Sequence, residues 1–214
     1  MKNVFILSLF VLLFMSCGET DKKTYAMVET DLGNMKIELY DSTPGHRDNF
    51  VKLAKEGFYD GLLFHRVIKG FMAQGGDPQS KDAAPEARLG SGGPGYTIPA
   101  EIGSPHFKGT LAAARTGGPS NPEKKSSGSQ FYLVQGNKVT AQQLDSFEKQ
   151  KGIKYSEAQR AKYLELGGTP MLDMDYTVYG EVVEGMDVID KICNVQTAPG
   201  DRPLEDIKMK VRIL

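Results

Sequence analysis

The sequence predicts a mainly β fold, a closed barrel or sandwich of short antiparallel strands interrupted by one helical insertion. Three observations carry that expectation. Apolar and polar residues alternate over Met35, Ile37 and Leu39 and again over Ile207, Met209, Val211 and Ile213, which is the two-residue period of a half-buried strand. Short apolar segments recur between glycine and proline clusters, at Leu62 to Phe71, Tyr96 to Pro99, Thr110 to Arg115, Gln130 to Gln135 and Tyr176 to Val183; such spacing favours a barrel or sandwich over a parallel α/β sheet. From Val139 to Gly168 the pattern turns helical, and some thirty residues are too few to bury a core of their own, so this stretch is expected to be an insertion and not a second domain.

Taken in chain order, the first sixteen residues place Lys2 ahead of a nearly unbroken apolar run from Val4 to Met15. The run is shorter than the roughly 20 residues a membrane span needs, so it is expected to be an export signal. It ends at Ser16-Cys17, which resembles the lipobox of bacterial lipoproteins and implies cleavage before Cys17 and lipidation of its thiol; the alternative is an ordinary secretory signal with an incidental cysteine. Residues 17–24 then form a polar tether, and 25–214 form the domain. Tyr25 to Thr30 opens a hairpin turned by Asp31-Leu32-Gly33-Asn34. Thr43 is the expected N-cap of a helix with Pro44 at its first position, Phe50, Leu53 and Ala54 on one face and Gly57 as its stop. Within the insertion, Thr140 is the expected cap of one helix, and Ser156 with Gln159 reads as a capping box for a second, halted by Gly167-Gly168. Near the C-terminus Ile189, Ile192 and Cys193 share a helical face, which makes Cys193 a buried structural thiol.

Composition removes several function classes. A formal net charge of −1 gives no electrostatic drive towards nucleic acid. Two cysteines are too few for a disulfide framework, a four-cysteine zinc site or an iron–sulfur cluster. Gly90-Ser91-Gly92-Gly93-Pro94-Gly95 satisfies the spacing of a dinucleotide-binding loop, but Pro94 and the extended Tyr96-Thr97-Ile98-Pro99 deny it the following helix that the phosphate site requires; a surface loop is expected. His46, His65 and His106 are scattered and form no ligand pair, so each is expected to be structural or exposed.

The informative stretch runs from Phe64-His65-Arg66 to Gln74-Gly75-Gly76-Asp77. In a strand Met72 and Gln74 share a face, and Arg66 can reach that face across a bend at Gly70. An apolar floor beside a guanidinium and an amide suits a ligand with one apolar ring and one carbonyl. By pattern alone, a buried strand carrying a surface arginine fits equally well.

This stretch resembles the signature of the cyclophilin-type peptidyl-prolyl cis-trans isomerases. Gly109 to Arg115 resembles the family's next strand, Gly128-Ser129-Gln130-Phe131-Tyr132 its Gly-Ser-Gln-Phe-Phe element, and Leu172-Asp173 with Tyr176 to Val182 its Leu-Asp and Val-Phe-Gly segments. The resemblance implies an eight-stranded antiparallel β-barrel capped by two helices. It also implies an enzyme that rotates X-Pro bonds without cofactor or metal, acting on proline-containing segments of unfolded or folding proteins; the alternative is a binding module that holds such segments in the same groove. The implied catalytic residues are Arg66, Phe71 and Gln74. Met72, Tyr132 and Leu172 would complete the proline pocket with Phe71, the main chain at Ala114 and Arg115 would hold the flanking residue, Gln130 would support Arg66 or the peptide, and Met171 and Tyr176 would also bind substrate, Tyr176 by lining the pocket. Met171 stands where the family often has Trp, Tyr176 where it often has His, and Arg115 where it often has Asn. The missing indole implies weaker cyclosporin binding. The insertion is expected beside the groove as a lid or docking arm, or else as a passive elaboration. A monomer is expected, anchored by lipid in the cell envelope and facing the periplasm or cell surface, with Gly18 after the anchor leaning towards the outer membrane.

Overall fold

The computed structural model describes residues 23–214. The expected leader, Cys17 and all but the last two residues of the tether lie outside them. Ten strands, four α-helices and two short 3-10 turns follow in the order β1 (Thr24–Thr30), β2 (Gly33–Leu39), α1 (Pro44–Lys55), β3 (Arg66–Ile68), β4 (Met72–Gly75), the turn Pro78–Ser80, β5 (Thr97–Ile98), β6 (Thr110–Ala113), β7 (Ser126–Ser127), β8 (Phe131–Val134), α2 (Ala141–Lys151), α3 (Glu157–Leu166), the turn Pro170–Leu172, β9 (Val178–Glu184), α4 (Met186–Cys193) and β10 (Met209–Ile213).

Eight strands form one antiparallel sheet in the order β10-β1-β2-β9-β6-β8-β4-β3, and β5 pairs with β7 outside it. The sheet curls until the segment before β3 meets the segment before β10. Leu63 bridges Lys208 there, with Phe64 N–H donating to Ile207 O at 3.0 Å and Met209 N–H to Leu62 O at 2.8 Å. The edges of the curled sheet thus meet through an isolated bridge and not a full ladder, so the expected closed barrel is incompletely closed. The apolar segment expected from Leu62 to Phe71 divides into the short β3 and a turn, because Gly70 adopts φ +74° and reverses the chain into β4.

Side chains alternate between the two faces of the curled sheet. Val28, Ile37, Val67, Ala73, Leu111, Phe131 and Leu133 point into one core, where Phe50 and Leu53 of α1 and Ile189 and Ile192 of α4 close it. Met72, Ala112, Tyr132, Val134 and Val178 form a separate apolar cluster. The two clusters take alternate residues of the same strands, so the second lies on the sheet's other face. Cys193 is buried in the first core, as expected, and burial pushes its thiol up to about 12, which keeps it protonated and unreactive.

The caps divide between expectation and correction. Thr140–Gln143 and Ser156–Gln159 both form reciprocal capping boxes at the starts of α2 and α3. Thr43, by contrast, makes no side-chain cap on α1; its hydroxyl donates to Tyr40 O at 3.3 Å. The free amides of Gly45 and His46 donate instead to the carboxylate of Glu101 at 3.0 and 2.9 Å, a cap supplied 55 residues away. The insertion packs Leu144, Tyr155 and Tyr163 around Phe107, so it borrows a residue of the β domain to complete its apolar seam.

Candidate active site

The hairpin of β3 and β4 sets the geometry. Arg66 is the direct cross-strand partner of Gln74, and Ile68 that of Met72. Gln74 in turn pairs with Tyr132 on β8, and Tyr132 with Ala112 on β6. Residues directly opposite in an antiparallel ladder project to the same face, so Arg66, Gln74, Tyr132 and Ala112 form one transverse row, with Met72 beside it. The bend itself is held: Gly70 N–H donates to Gln135 Oε1 at 2.6 Å, and Asn137 Nδ2 to Gly70 O at 2.8 Å.

Met72 and Tyr132 are almost fully buried at 2% and 4% exposure and make a floor. Phe71, Leu172, Tyr176 and Ala114 pack against that floor but stay half-exposed, making walls. Tyr132 and Tyr176 meet edge to face, 5.9 Å between centroids. Met171, next to Leu172 in the 3-10 turn, is exposed and outside the packed cluster. Of the residues expected at the site, Phe71, Met72, Ala114, Tyr132, Leu172 and Tyr176 fall in one cluster, with Arg66 and Gln74 in register beside it.

Their polar contacts refine the expected roles. Gln74 Nε2 donates to Gln130 Oε1 at 2.9 Å, and Gln130 Nε2 to Gly92 O at 2.7 Å. Gln130 thus holds Gln74, not Arg66, and the glycine-rich loop anchors Gln130. Asp77 fixes that loop by accepting from the amides of Gly90 and Gly92. Arg66 lies 3.4 Å through Nε from Asp201 Oδ2, both side chains about two-fifths exposed; Asp201 sits at φ +68° and its carbonyl accepts from Val67 N–H at 2.8 Å. The main chain of Ala114 is engaged within the fold. Its N–H donates to Gln130 O and its carbonyl accepts from Ser127 N–H, so its main-chain donor is used within the fold. The main-chain groups of Arg115 make no hydrogen bond among the described residues. The Arg115 side chain is itself committed: Nε donates to Asp175 O at 2.7 Å and the guanidinium lies 4.5 Å above the Tyr176 ring, a cation–π contact that stiffens the wall.

All three histidines are buried. His46 bonds Glu101 and His106 bonds Asp173, while neither ring nitrogen of His65 has a partner among the described residues. Residues that the sequence did not single out for the site are His106, whose Nε2 lies 3.0 Å from the Tyr132 hydroxyl, Asp173 behind it, and Asp201. Asp173 stood in view inside Leu172-Asp173, and Asp201 inside the turn-forming Pro199-Gly200-Asp201-Arg202-Pro203; only the folded chain brings them to Tyr132 and Arg66.

Residues 25–212 match the family described as cyclophilin type peptidyl-prolyl cis-trans isomerase/CLD. A relative from Staphylococcus saprophyticus, provisionally named a peptidyl-prolyl cis-trans isomerase, is 36% identical over 184 residues, covering 85% of this chain and 86% of the relative. A Staphylococcus aureus relative under the same provisional name is 33% identical over 182 residues, with the same coverage. Among solved structures, a cyclophilin type peptidyl-prolyl cis-trans isomerase of Cryptosporidium parvum superposes with a TM-score of 0.63 at 22% identity, covering 90% of this chain and 98% of that one. A crystal structure of the same protein in the presence of the dipeptide Ala-Pro gives 0.62 at 22% identity over 89% and 98%. The curled antiparallel sheet, its two closing helices and a family match spanning nearly all the described residues lead to one conclusion: the chain belongs to the cyclophilin-type peptidyl-prolyl cis-trans isomerases, enzymes that interconvert the cis and trans forms of X-Pro peptide bonds.

Proposed function

We propose that this isomerase turns over its substrate on the outer face of the curled sheet, with the proline ring on Met72 and Tyr132 between Phe71 and Leu172, and with Arg66 directed at the prolyl nitrogen. The reaction breaks no covalent bond. Its barrier of about 18–20 kcal/mol exists because the nitrogen lone pair is delocalised into the carbonyl. In the twisted transition state that pair localises on nitrogen and becomes an acceptor. A fixed guanidinium therefore binds the transition state better than either planar ground state, and being permanently charged it needs no pKa tuning. Gln74, held by Gln130, presents its amide to the substrate main chain, and Arg115 offers free N–H and C=O to the flanking residue. The observation that carries this reading is the register: Arg66 opposite Gln74 opposite Tyr132 puts cation, amide and apolar floor on one face.

The enzyme serves the folding of exported proteins from a lipid anchor at Cys17, as a monomer in the cell envelope facing the periplasm or cell surface. Support comes from the sequence, through the leader of residues 1–16 and the Ser16-Cys17 junction; X-Pro steps otherwise take tens of seconds or more. Among the described residues no helix is long and apolar enough to cross a membrane. Two measurements test the reading. Titrating an Ala-Pro peptide into isotope-labelled protein should shift the NMR signals of Phe71, Met72, Tyr132 and Leu172, and shifts confined to another face would overturn the site. Mass spectrometry of the mature N-terminus should find an acylated Cys17, and an unmodified terminus elsewhere would remove the anchor.

A further inference from the structure

Beneath the floor of the cleft lies a buried polar chain that ends in the insertion. The Asp173 carboxylate, 4% exposed, accepts from four donors. Oδ1 takes the His106 backbone N–H and ring Nδ1–H, each at 2.8 Å; Oδ2 takes the hydroxyls of Tyr155 at 2.6 Å and Tyr163 at 2.7 Å. With Nδ1 donating to the carboxylate, the tautomer that this network dictates leaves Nε2 as an acceptor. The Tyr132 hydroxyl, 3.0 Å away, donates to it.

The connectivity carboxylate, imidazole, hydroxyl is that of an activated nucleophile. Burial argues otherwise, because it pushes the Tyr132 hydroxyl well above the ordinary phenol range, and its proton stays in place. A fully satisfied buried network instead fixes geometry. Here it fixes the ring of Tyr132 and the loop that carries Leu172 and Tyr176. Both hydroxyl donors to Oδ2 come from the insertion, Tyr155 just ahead of α3 and Tyr163 within it. A third insertion residue, Lys151 at the end of α2, donates to Asp173 O at 2.7 Å and pairs with Asp175 Oδ2 at 2.6 Å.

We propose that Tyr155 and Tyr163 are positioning residues of the proline pocket: through Asp173 and His106 the insertion sets the place of Tyr132 and Leu172, and thereby how firmly the proline ring is gripped. The proposal rests on the assignment of Tyr132 and Leu172 to the pocket. It gives the insertion a bracing task in place of a lid's. Arg66 stands outside the chain, held by Gln74 pairing and Asp201, so the loss of the brace reaches substrate binding and leaves the rotation step alone.

The test is steady-state kinetics of the full chain on an Ala-Pro peptide, with thermal unfolding measured alongside. In Tyr155→Phe/Tyr163→Phe, KM should rise about tenfold with kcat within about twofold of wild type, because two hydrogen bonds to a buried charge are lost while the catalytic cation is untouched. Tyr163→Phe alone, the milder change should the double variant fail to fold, should give a smaller rise in KM. Ile192→Val, on the core-facing side of α4, should lower the melting temperature with no change in KM. A melting temperature lowered with KM unchanged in the tyrosine variants would reduce the network to a structural role and overturn the proposal, as would a fall in kcat at constant KM. Leu172→Ala separates the two assignments. If it raises KM while the tyrosine variants do not, the brace fails and the pocket stands; if it too leaves KM unchanged, the pocket assignment fails.

Discussion

Arg66 owes its position to a three-residue strand and a single glycine with φ +74°. Arg66, Phe71, Met72 and Gln74 were legible in the sequence because they fall within nine consecutive residues, where a strand period and one bend decide which side chains meet. Gln130 was legible as a site residue but not in its task. Which of two neighbouring polar groups it holds depends on register between β4 and β8, a long-range pairing that no local pattern encodes. Its bond to Gln74 makes a prediction at this scale. Gln130→Ala should lower kcat/KM on an Ala-Pro peptide about fivefold to tenfold, since the freed Gln74 amide must be ordered again on each binding event; Arg66-dependent kinetics measured in the same assay should persist. His106 and Asp173 were hidden for the same reason as Gln130, since the partners lie 26 residues or more away for His106 and both before and within the insertion for Asp173.

At the scale of elements, the strands and helices were readable where one sequence segment carries its own signal. The capping boxes at Thr140 and Ser156 are local, and both formed. The start of α1 is not local. Thr43 has the right side chain, but its backbone at φ −128°, ψ 61° and its bond to Tyr40 take it out of the capping position, and Glu101 supplies the carboxylate from the loop after β5. Thermal unfolding should therefore rank Glu101→Ala as the costlier change, on the order of 2 kcal/mol, against less than about 1 kcal/mol for Thr43→Ala. The same contact sets a pH dependence. Burial opposes ionisation of Glu101, yet hydrogen bonds from His46 and the Gly45 and His46 amides hold its carboxyl below the usual range; burial also lowers His46, despite the Glu101 carboxylate beside it. For the histidine, the unfolded chain takes up a proton near pH 6.5 that the folded one refuses, so stability is lost as pH falls below that value. For the carboxylate, the stability present above the unfolded value of about 4.5 is lost as pH falls through the lower folded value. Urea unfolding from pH 8 to about 2 should show both losses, and Glu101→Gln should flatten the limb below about pH 4.5; a wild-type stability unchanged below pH 6 would contradict this account.

Across the whole molecule, one curled sheet serves two cores. Its inner face holds the packed interior and its outer face the cleft, so strands such as β8 are apolar on both sides and read in the sequence as short continuous runs and not as alternating ones. That doubling is why composition and period alone could not separate a barrel from a sandwich, whereas β2 and β10, each with one solvated face, alternate cleanly. The insertion interrupts neither core. It packs on Phe107 and bonds the loop between Leu172 and Tyr176, where a change outside the sheet reaches the pocket. The central claim remains the catalytic use of Arg66, and NMR exchange between cis and trans Ala-Pro peptide measures it most directly because saturation separates binding from turnover. For Arg66→Ala the account predicts a peptide affinity within about threefold of wild type and a kcat about a hundredfold lower, the size expected when one fixed transition-state donor is removed. An unchanged kcat with weakened binding would contradict it and make Arg66 a docking residue.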